Sequence, residues 1–377
     1  MKEGWEYKKL GDVCQSDLGK TLNQSKDTGD LYPYLCAVNI LWDKIDLSTL
    51  KQTRFEKTEL ERYSVKKGDL LVCEGGDIGR AAIWDRDEVI QYQNALHRIR
   101  FNGEILPRFC LLYLRNLKQK GILDHKYGKG VTILHLVKSS LLSIPIPVPS
   151  IREQQQIVSE LDLLSGVIEK QKAQLEELDK LAQSIFYDMF GDPVINEKGW
   201  EVRELSEIST LLNGRAYKQE ELLDSGKYKV LRVGNFFTNS DYYYSNLELE
   251  ENKYCDFGDL LFAWSASFGA FIWNGEKVIY HYHIWKVLYN ETYLNKLYYC
   301  FLLNTMTKSF MNDLHGIGMM HLTKIGMEQY LLPLPPISLQ QEFAAKVEAI
   351  EAMKAKVRQS LKEAETLFNE RMDYYFN

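Results

Sequence analysis

Side chains that could bind a metal, activate a nucleophile or read a nucleobase are sparse in this sequence, and one cluster stands apart. Tyr280-His-Tyr-His-Ile-Trp285 places His281 and His283 two residues apart, on one side of an extended strand. Two imidazoles at that spacing make half a metal site, but no acidic or cysteine partner stands at ligand spacing from them. Ordinary packing is one alternative; the favoured one is a polar readout surface, since imidazole can donate to or accept from a base edge. The corresponding stretch of the first half, Gln91-Tyr-Gln-Asn94 with His97, offers amides, which suit adenine. Both stretches present polar groups, and their chemistry differs.

Other chemistries lack their residues. The six cysteines (Cys14, Cys36, Cys73, Cys110, Cys255, Cys300) stand singly, with no C-x-x-C pair for zinc. No G-x-x-x-x-G-K-[ST] phosphate loop occurs, and Gly128-x-Gly130 and Gly316-x-Gly318 lack the third glycine of a dinucleotide site. The Asn/Asp-Pro-Pro-aromatic tetrapeptide that grips a target amino group in adenine methyltransferases is missing. Met1-Lys-Glu-Gly-Trp5 has no apolar core of a leader, and no run approaches 18 apolar residues, so the expectation is a reduced cytoplasmic protein without a membrane span. The net charge of −6 argues weakly against a polyanion partner, but its distribution is uneven. Residues 1–150 carry 23 Lys and Arg against 19 Asp and Glu, whereas 151–196 carry 4 against 9. Nucleic acid therefore stays open, with weak affinity expected unless a more basic partner helps.

The elements that must position these residues are written twice. Gly4-Trp-Glu6 recurs as Gly199-Trp-Glu201, and Gly68-Asp-Leu-Leu71 as Gly258-Asp-Leu-Leu261. Ile83-Trp84 recurs as Ile272-Trp273, and Ile144-Pro-Ile-Pro147 as Leu332-Pro-Leu-Pro335, so the offset drifts only from 195 to 188. Gly128-x-Gly130 with His135-Leu136 recurs as Gly316-x-Gly318 with His321-Leu322. An ordered series of this kind is duplication. Within each copy, short apolar runs bounded by Gly, Asp and Asn predict strands in a mainly antiparallel sheet. Helices are predicted around Arg108–Lys120 and Leu294–Asn312, and Trp84 and Trp273 are assigned to the core. The Pro-rich strings Ile144–Pro149 and Leu332–Pro336 read as extended spacers.

After each spacer an apolar seam steps by 4 and 3: Ile157, Leu161, Leu164, Ile168, Gln171, Leu175, Leu178, Ala182, Ile185, Met189. The second runs Phe343, Val347, Ile350, Lys354, Val357, Leu361, Ala364, Phe368, Arg371, Tyr375. A sustained period of 3.5 predicts a coiled coil, most economically an antiparallel intramolecular pair relating the halves by an approximate twofold. From Ile157 to Met189 such a helix spans roughly 48 Å, on the order of 14 base pairs, and could act as a ruler. The expected fold class is α/β (α+β): two mixed heads joined by two long antiparallel helices. The expected boundaries are 1–150, 151–192, 193–336 and 337–377.

The order Gly-Trp-Glu, Gly-Asp-Leu-Leu, Gly-Gly-Asp-Ile-Gly-Arg80, Tyr92-Gln-Asn-Ala-Leu-His97, Gly-x-Gly with His-Leu, Ile-Pro-Ile-Pro and Arg152-Glu-Gln-Gln before a heptad helix resembles the specificity subunit of type I restriction–modification systems. The resemblance covers essentially the whole chain. It implies two target recognition domains, each reading half of a split site in double-stranded DNA. It also implies helices that dock two adenine-N6 methyltransferase subunits carrying S-adenosylmethionine, to which two restriction subunits with ATP and Mg can be added. No catalysis, cofactor or metal is expected in this chain. Two departures stand out: Gln340-Gln341 where the first copy has Glu153-Gln154, and Lys354 in the second seam, which predict a less regular second helix.

Candidate base readers in the first head are Lys20, Asn39, Glu74, Arg80, Gln91, Gln93, Asn94, Lys129 and His135. In the second they are Arg215, Tyr217, Arg232, Asn235, Ser265, Ser267, His281, His283 and His321. Arg suits guanine and Asn or Gln suits adenine, while amides of the Gly-rich turns suit phosphate. The competing readings are a coiled-coil scaffold with two peptide-binding heads and an enzyme with an unrecognised site.

Overall fold

The computed structural model describes residues 4–23, 25, 27–238, 240–265, 267–312 and 323–377. They form two compact units, Met1–Lys172 with Gln359–Asn377, and Ala173–Arg358. Each unit holds one head and a share of both long helices.

In the first unit, strands Cys14–Leu18, Leu96–Phe101, Leu70–Cys73 and Ala81–Ile83 form one antiparallel sheet in that order. A second sheet orders Lys51–Phe55, Asp30–Leu35, Ile90–Tyr92 and Ser64–Val65, with one parallel pairing, Asp30–Leu35 to Ile90–Tyr92. Among the described residues each head thus has two four-stranded sheets where the sequence suggested one sheet. The run Leu70-Leu-Val-Cys73 lacks polar alternation because both its faces are covered. Leu70 and Val72 pack towards helix Pro107–Gln119 with Phe109, whereas Leu71 and Cys73 pack with Leu35, Val65 and Ile90 of the second sheet.

The second unit repeats the plan. Ser209–Asn213, Ile284–Tyr289, Leu260–Ser265 and Ser267–Ile272 form the antiparallel sheet, and Tyr243–Ser245, Tyr228–Leu231, Val278–Tyr280 and Tyr254–Cys255 form the mixed one. Helix Lys296–Asn312 covers the antiparallel sheet as the first head's helix does. Trp84 is buried; Trp273 is only partly so, with its indole N–H on the Glu276 carbonyl. The proline strings do more than space. Pro145–Val148 pairs with Glu6–Lys9, and Leu331–Leu334 with Glu201–Glu204, each as a two-stranded ribbon. Proline is tolerated there because an edge strand has one side without ladder bonds.

The long helices are Ile151–Phe190 and Ile337–Phe376, 40 residues each, so the second is no shorter than the first. They pair antiparallel: in the first unit Ile157, Leu161 and Ile168 pack with Phe368 and Met372, and in the second Phe186 and Phe190 pack with Phe343 and Val347. No predicted seam position is exposed, but the C-terminal end of each helix departs from the heptad. The buried residues there are Ala182, Phe186 and Phe190, and, 186 positions on, Phe368, Met372 and Phe376. These ends leave the helix–helix seam and enter a head core, Phe190 against Tyr298 and Phe376 against Phe109 and Tyr113. Steps of four replace the 4–3 alternation where the facing surface is no longer a single helix.

The departure at the second helix's start disappears in the structure, because Gln154 and Gln340 are the equivalent pair. Each is fully buried. Gln154 accepts from Leu106 N and donates to the carbonyls of Glu104 and Pro149. Gln340 does the same with Asn295 N, Tyr293 and Pro335. Each glutamine ties a long helix to the start of its head's own helix. Lys354 is tolerated in the seam because its ammonium meets Asp179 and Glu351, each at 2.6 Å.

Candidate functional site

Both heads build the same turn from the same backbone crossing. Gly19 passes against the carbonyls of Tyr92 and Gln93, and Gly214 against those of Tyr280 and His281, too close in either case for a Cβ. The crossing lets Lys20 N donate to Tyr92 O and Asn94 N to Lys20 O, both at 3.0 Å. In the second head Arg215 N donates to Tyr280 O and Tyr282 N to Arg215 O, at the same distance. Gln93-Asn94-Ala95 and His281-Tyr282-His283 are therefore equivalent three-residue turns, and His97 is equivalent to Trp285. His97 is a core residue, its Nε2 2.6 Å from Leu136 O, and burial holds its pKa below the usual range.

Several candidate readers hold this frame together instead. Lys20 is buried and its ammonium lies 2.7 Å from Glu59 and 2.9 Å from Arg54 O. Arg215 forks onto Glu221 at 2.7 and 2.8 Å. The Arg215 hydrogen bonds, then the Lys218 N–H, push the Glu221 carboxyl down to about 2. Asn39 accepts from Cys36 N and Asn235 from Arg232 N, each capping the turn after a strand, and each donates onward to a carbonyl. Gln91 is buried with its amide on Leu60 O. Arg80 is half-buried and donates to Ala37 O. Lys20, Asn39 and Gln91 are buried, whereas Arg80, Arg215 and Asn235 keep part of their surface exposed.

What faces outward differs between heads. In the first, Gln93 and Asn94 are partly exposed and make no side-chain hydrogen bond among the described residues. Beside them Glu74, whose N–H donates to Ala95 O, carries His135 on its carboxylate at 3.0 Å, and Lys129 is exposed. In the second head Trp264 occupies the position of Glu74, donating its backbone N–H to His283 O and its indole N–H to Tyr282 O. The rings of His281, Tyr282 and His283 pack against one another tilted or edge-on, and Tyr282 and His283 meet the Trp264 ring edge-on, with centroids 3.9 to 5.9 Å apart. His281 and His283 border a groove of about 910 Å³ that is also lined by Arg232, Tyr242, Tyr243, Ser265 and Ser267. Ser265 is buried in it, while Arg232 is exposed over the Tyr243 ring.

Burial, then the neighbouring His283 and Arg232, pushes His281 down to about 4, so its ring is neutral near pH 7. Its Nδ1 accepts from His283 N at 3.4 Å, which leaves the ring proton on Nε2 as a donor. Tyr217 packs beside His281, its hydroxyl buried without a hydrogen bond among the described residues. His321 lies outside the described residues. The sequence reading missed Trp264, Tyr242 and Tyr243; aligning the copies strand by strand exposes Trp264, because it replaces a charged residue in an otherwise repeated frame. Among the described residues no His, Cys, Asp and Glu cluster could hold a metal ion, and no helix is long and apolar enough to cross a membrane.

The helix pair carries a second apolar set. Val167 and Leu367 are exposed in the first unit, Met353 and Leu181 in the second, and an offset of 186 relates Val167 to Met353 and Leu181 to Leu367.

A family model described as type I restriction modification DNA specificity domain matches the chain twice, at residues 2–180 and 197–365. Two proteins of Methanocaldococcus jannaschii match over nearly the whole length. One, provisionally named the MjaX type I restriction enzyme specificity subunit, is 25% identical over 384 aligned residues, 93% of this chain and 88% of that protein. The other, the type I restriction enzyme MjaVIII specificity subunit, is 23% identical over 385, covering 93% and 87%. Among solved structures, a chain from work on complex assembly and conformational transition of the type I R-M system superposes with a TM-score of 0.62 at 17% identity, covering 100% of this chain and 98% of that one. The type I restriction–modification S subunit of M. genitalium gives 0.57 at 14%, covering 98% and 95%. These two share the fold.

Proposed function

The chain belongs to the type I restriction–modification DNA specificity family, and on that footing we propose that its two heads read the two halves of a split duplex site. The observation that carries this is a repeated frame with unrepeated chemistry. The crossing glycine, the capped asparagine and the Lys20–Glu59 or Arg215–Glu221 lock recur, whereas Gln93-Asn94-Ala95 gives way to His281-Tyr282-His283 and Glu74 to Trp264. Amides suit adenine, and a neutral imidazole presenting an Nε2 donor suits a base acceptor such as guanine N7. Lys129 and Arg232 are exposed cations suited to phosphate.

The remaining parts follow from the same reading. The four domain segments 1–150, 151–192, 193–336 and 337–377 act as reader, spacer, reader, spacer, and helix length sets the gap between half-sites. The exposed Val167, Leu181, Met353 and Leu367 give apolar footing for partner helices, which supports docking of two methyltransferase subunits. Base chemistry belongs to those partners, with S-adenosylmethionine, and cleavage to restriction subunits with ATP and Mg. The test is the double variant His281→Ala/His283→Ala, assembled with the cognate methyltransferase. The half-site read by the second head should relax while the other keeps its preference; unchanged specificity at both would remove these residues from the readout.

A further inference from the structure

Between Gly128 and Leu136 the first head extends a short hairpin. Lys129 and His135 exchange both backbone hydrogen bonds at 2.8 Å, and Gly130 reverses the chain at φ +121°, a conformation suited to glycine. The base of the hairpin is braced. His135 forms a β-bridge with Gly75 and contacts the Glu74 carboxylate, Leu136 N donates to Glu74 O at 2.6 Å, and Glu74 N donates to Ala95 O at 2.9 Å. The hairpin thus rises beside the Gln93–Ala95 turn. Its tip is apolar, with Val131 fully exposed and Ile133 61% exposed. The second copy keeps this character in its sequence, where Ile317, Met319 and Met320 precede His321-Leu322.

Resting on the reading of the heads as base readers, we propose that Val131 and Ile133 recognise the C5-methyl of thymine in the first head's half-site. The major groove edge of an A·T pair offers both a bidentate amide site on adenine and a methyl group on thymine. An amide turn and an apolar hairpin side by side match those two groups on one base pair. A methylated adenine requires an A·T pair in each half-site, so the ligand group is present in any site this chain serves. The alternative for an apolar tip, insertion between base steps from the minor groove, is weaker here, because the hairpin is joined to the amide turn through Glu74.

The test uses the complex with its methyltransferase and duplexes carrying its own motif. Thymines of the first half-site are replaced one at a time by deoxyuridine, which removes only the methyl. The wild-type complex should bind about three- to fivefold more weakly at the contacted position, the worth of one buried methyl. Val131→Ser/Ile133→Ser should bind the thymine and deoxyuridine duplexes equally, with second half-site discrimination intact as proof of folding. Equal wild-type affinity for both duplexes, or a variant that keeps the preference, overturns the proposal. So does 2-aminopurine fluorescence in that half-site that rises on binding wild type and not the variant, which assigns insertion instead. A wild-type complex with no sequence preference at all sinks the base-reading proposal first and this inference with it.

Discussion

Gly214→Ala is the sharpest perturbation of the positioning frame, because it replaces no base-reading side chain and acts only through the backbone that carries one. A Cβ at that position lies 2.6 Å from the His281 carbonyl carbon, against 3.4–4 Å for ordinary contact, so the His281–His283 turn must retreat by close to 1 Å. Overpacking of that kind costs about 1–3 kcal/mol of stability. A displaced turn also forfeits hydrogen bonds worth about 1–3 kcal/mol of base discrimination, roughly five- to 150-fold. Urea denaturation reads the first quantity. The second is read from methylation rates on duplexes altered by one base pair in either half-site. Gly214→Ala should lose discrimination in one half-site and Gly19→Ala in the other, since a Cβ at Gly19 lies 2.5 Å from Gln93 O. Equal loss at both half-sites, or none despite normal stability, would refute the backbone crossing as the device that positions the turns.

Three further outcomes are expected. Gln154→Ala and Gln340→Ala each strand one N–H and two carbonyls that the glutamine now satisfies, and should each cost about 2–4 kcal/mol in urea denaturation; a loss near zero would show that water replaces the side chain. Glu221 is depressed from 4.5 to about 2 in the fold, so the stability it lends is complete above pH 4.5 and lost as pH falls towards 2. Acid titration of Glu221→Gln should therefore give a shallower decline across that window, and an unchanged slope would contradict the lock. Inserting one heptad into each long helix adds about 10.5 Å, and the unspecified gap in the methylated motif should lengthen by about three base pairs; an unaltered gap would remove the ruler.

The duplication, the two long helices and their antiparallel pairing were legible in the sequence because each is periodic, and period survives without coordinates. The heptad count failed only at Ile185, Met189, Arg371 and Tyr375, where Phe186, Phe190, Met372 and Phe376 turn into a head core that no helical period describes. The site was less legible. Lys20, Asn39, Arg215 and Asn235 have the residue types that meet bases, and those types also close ion pairs and cap turns. The partner decides between the two roles, and Glu59 stands 39 residues from Lys20. The role of Gln154 and Gln340 was not legible, because all their partners are backbone groups. The polar turns at Gln93 and His281 were visible because composition and repeat register pointed to the same place.

The most direct measurement is a genome-wide map of N6-methyladenine in cells expressing this chain with its methyltransferase. The account predicts a split motif of two unrelated half-sites separated by a fixed number of unspecified base pairs, with one half-site relaxed by His281→Ala/His283→Ala. A continuous motif, two identical half-sites, or methylation indifferent to this chain would contradict it.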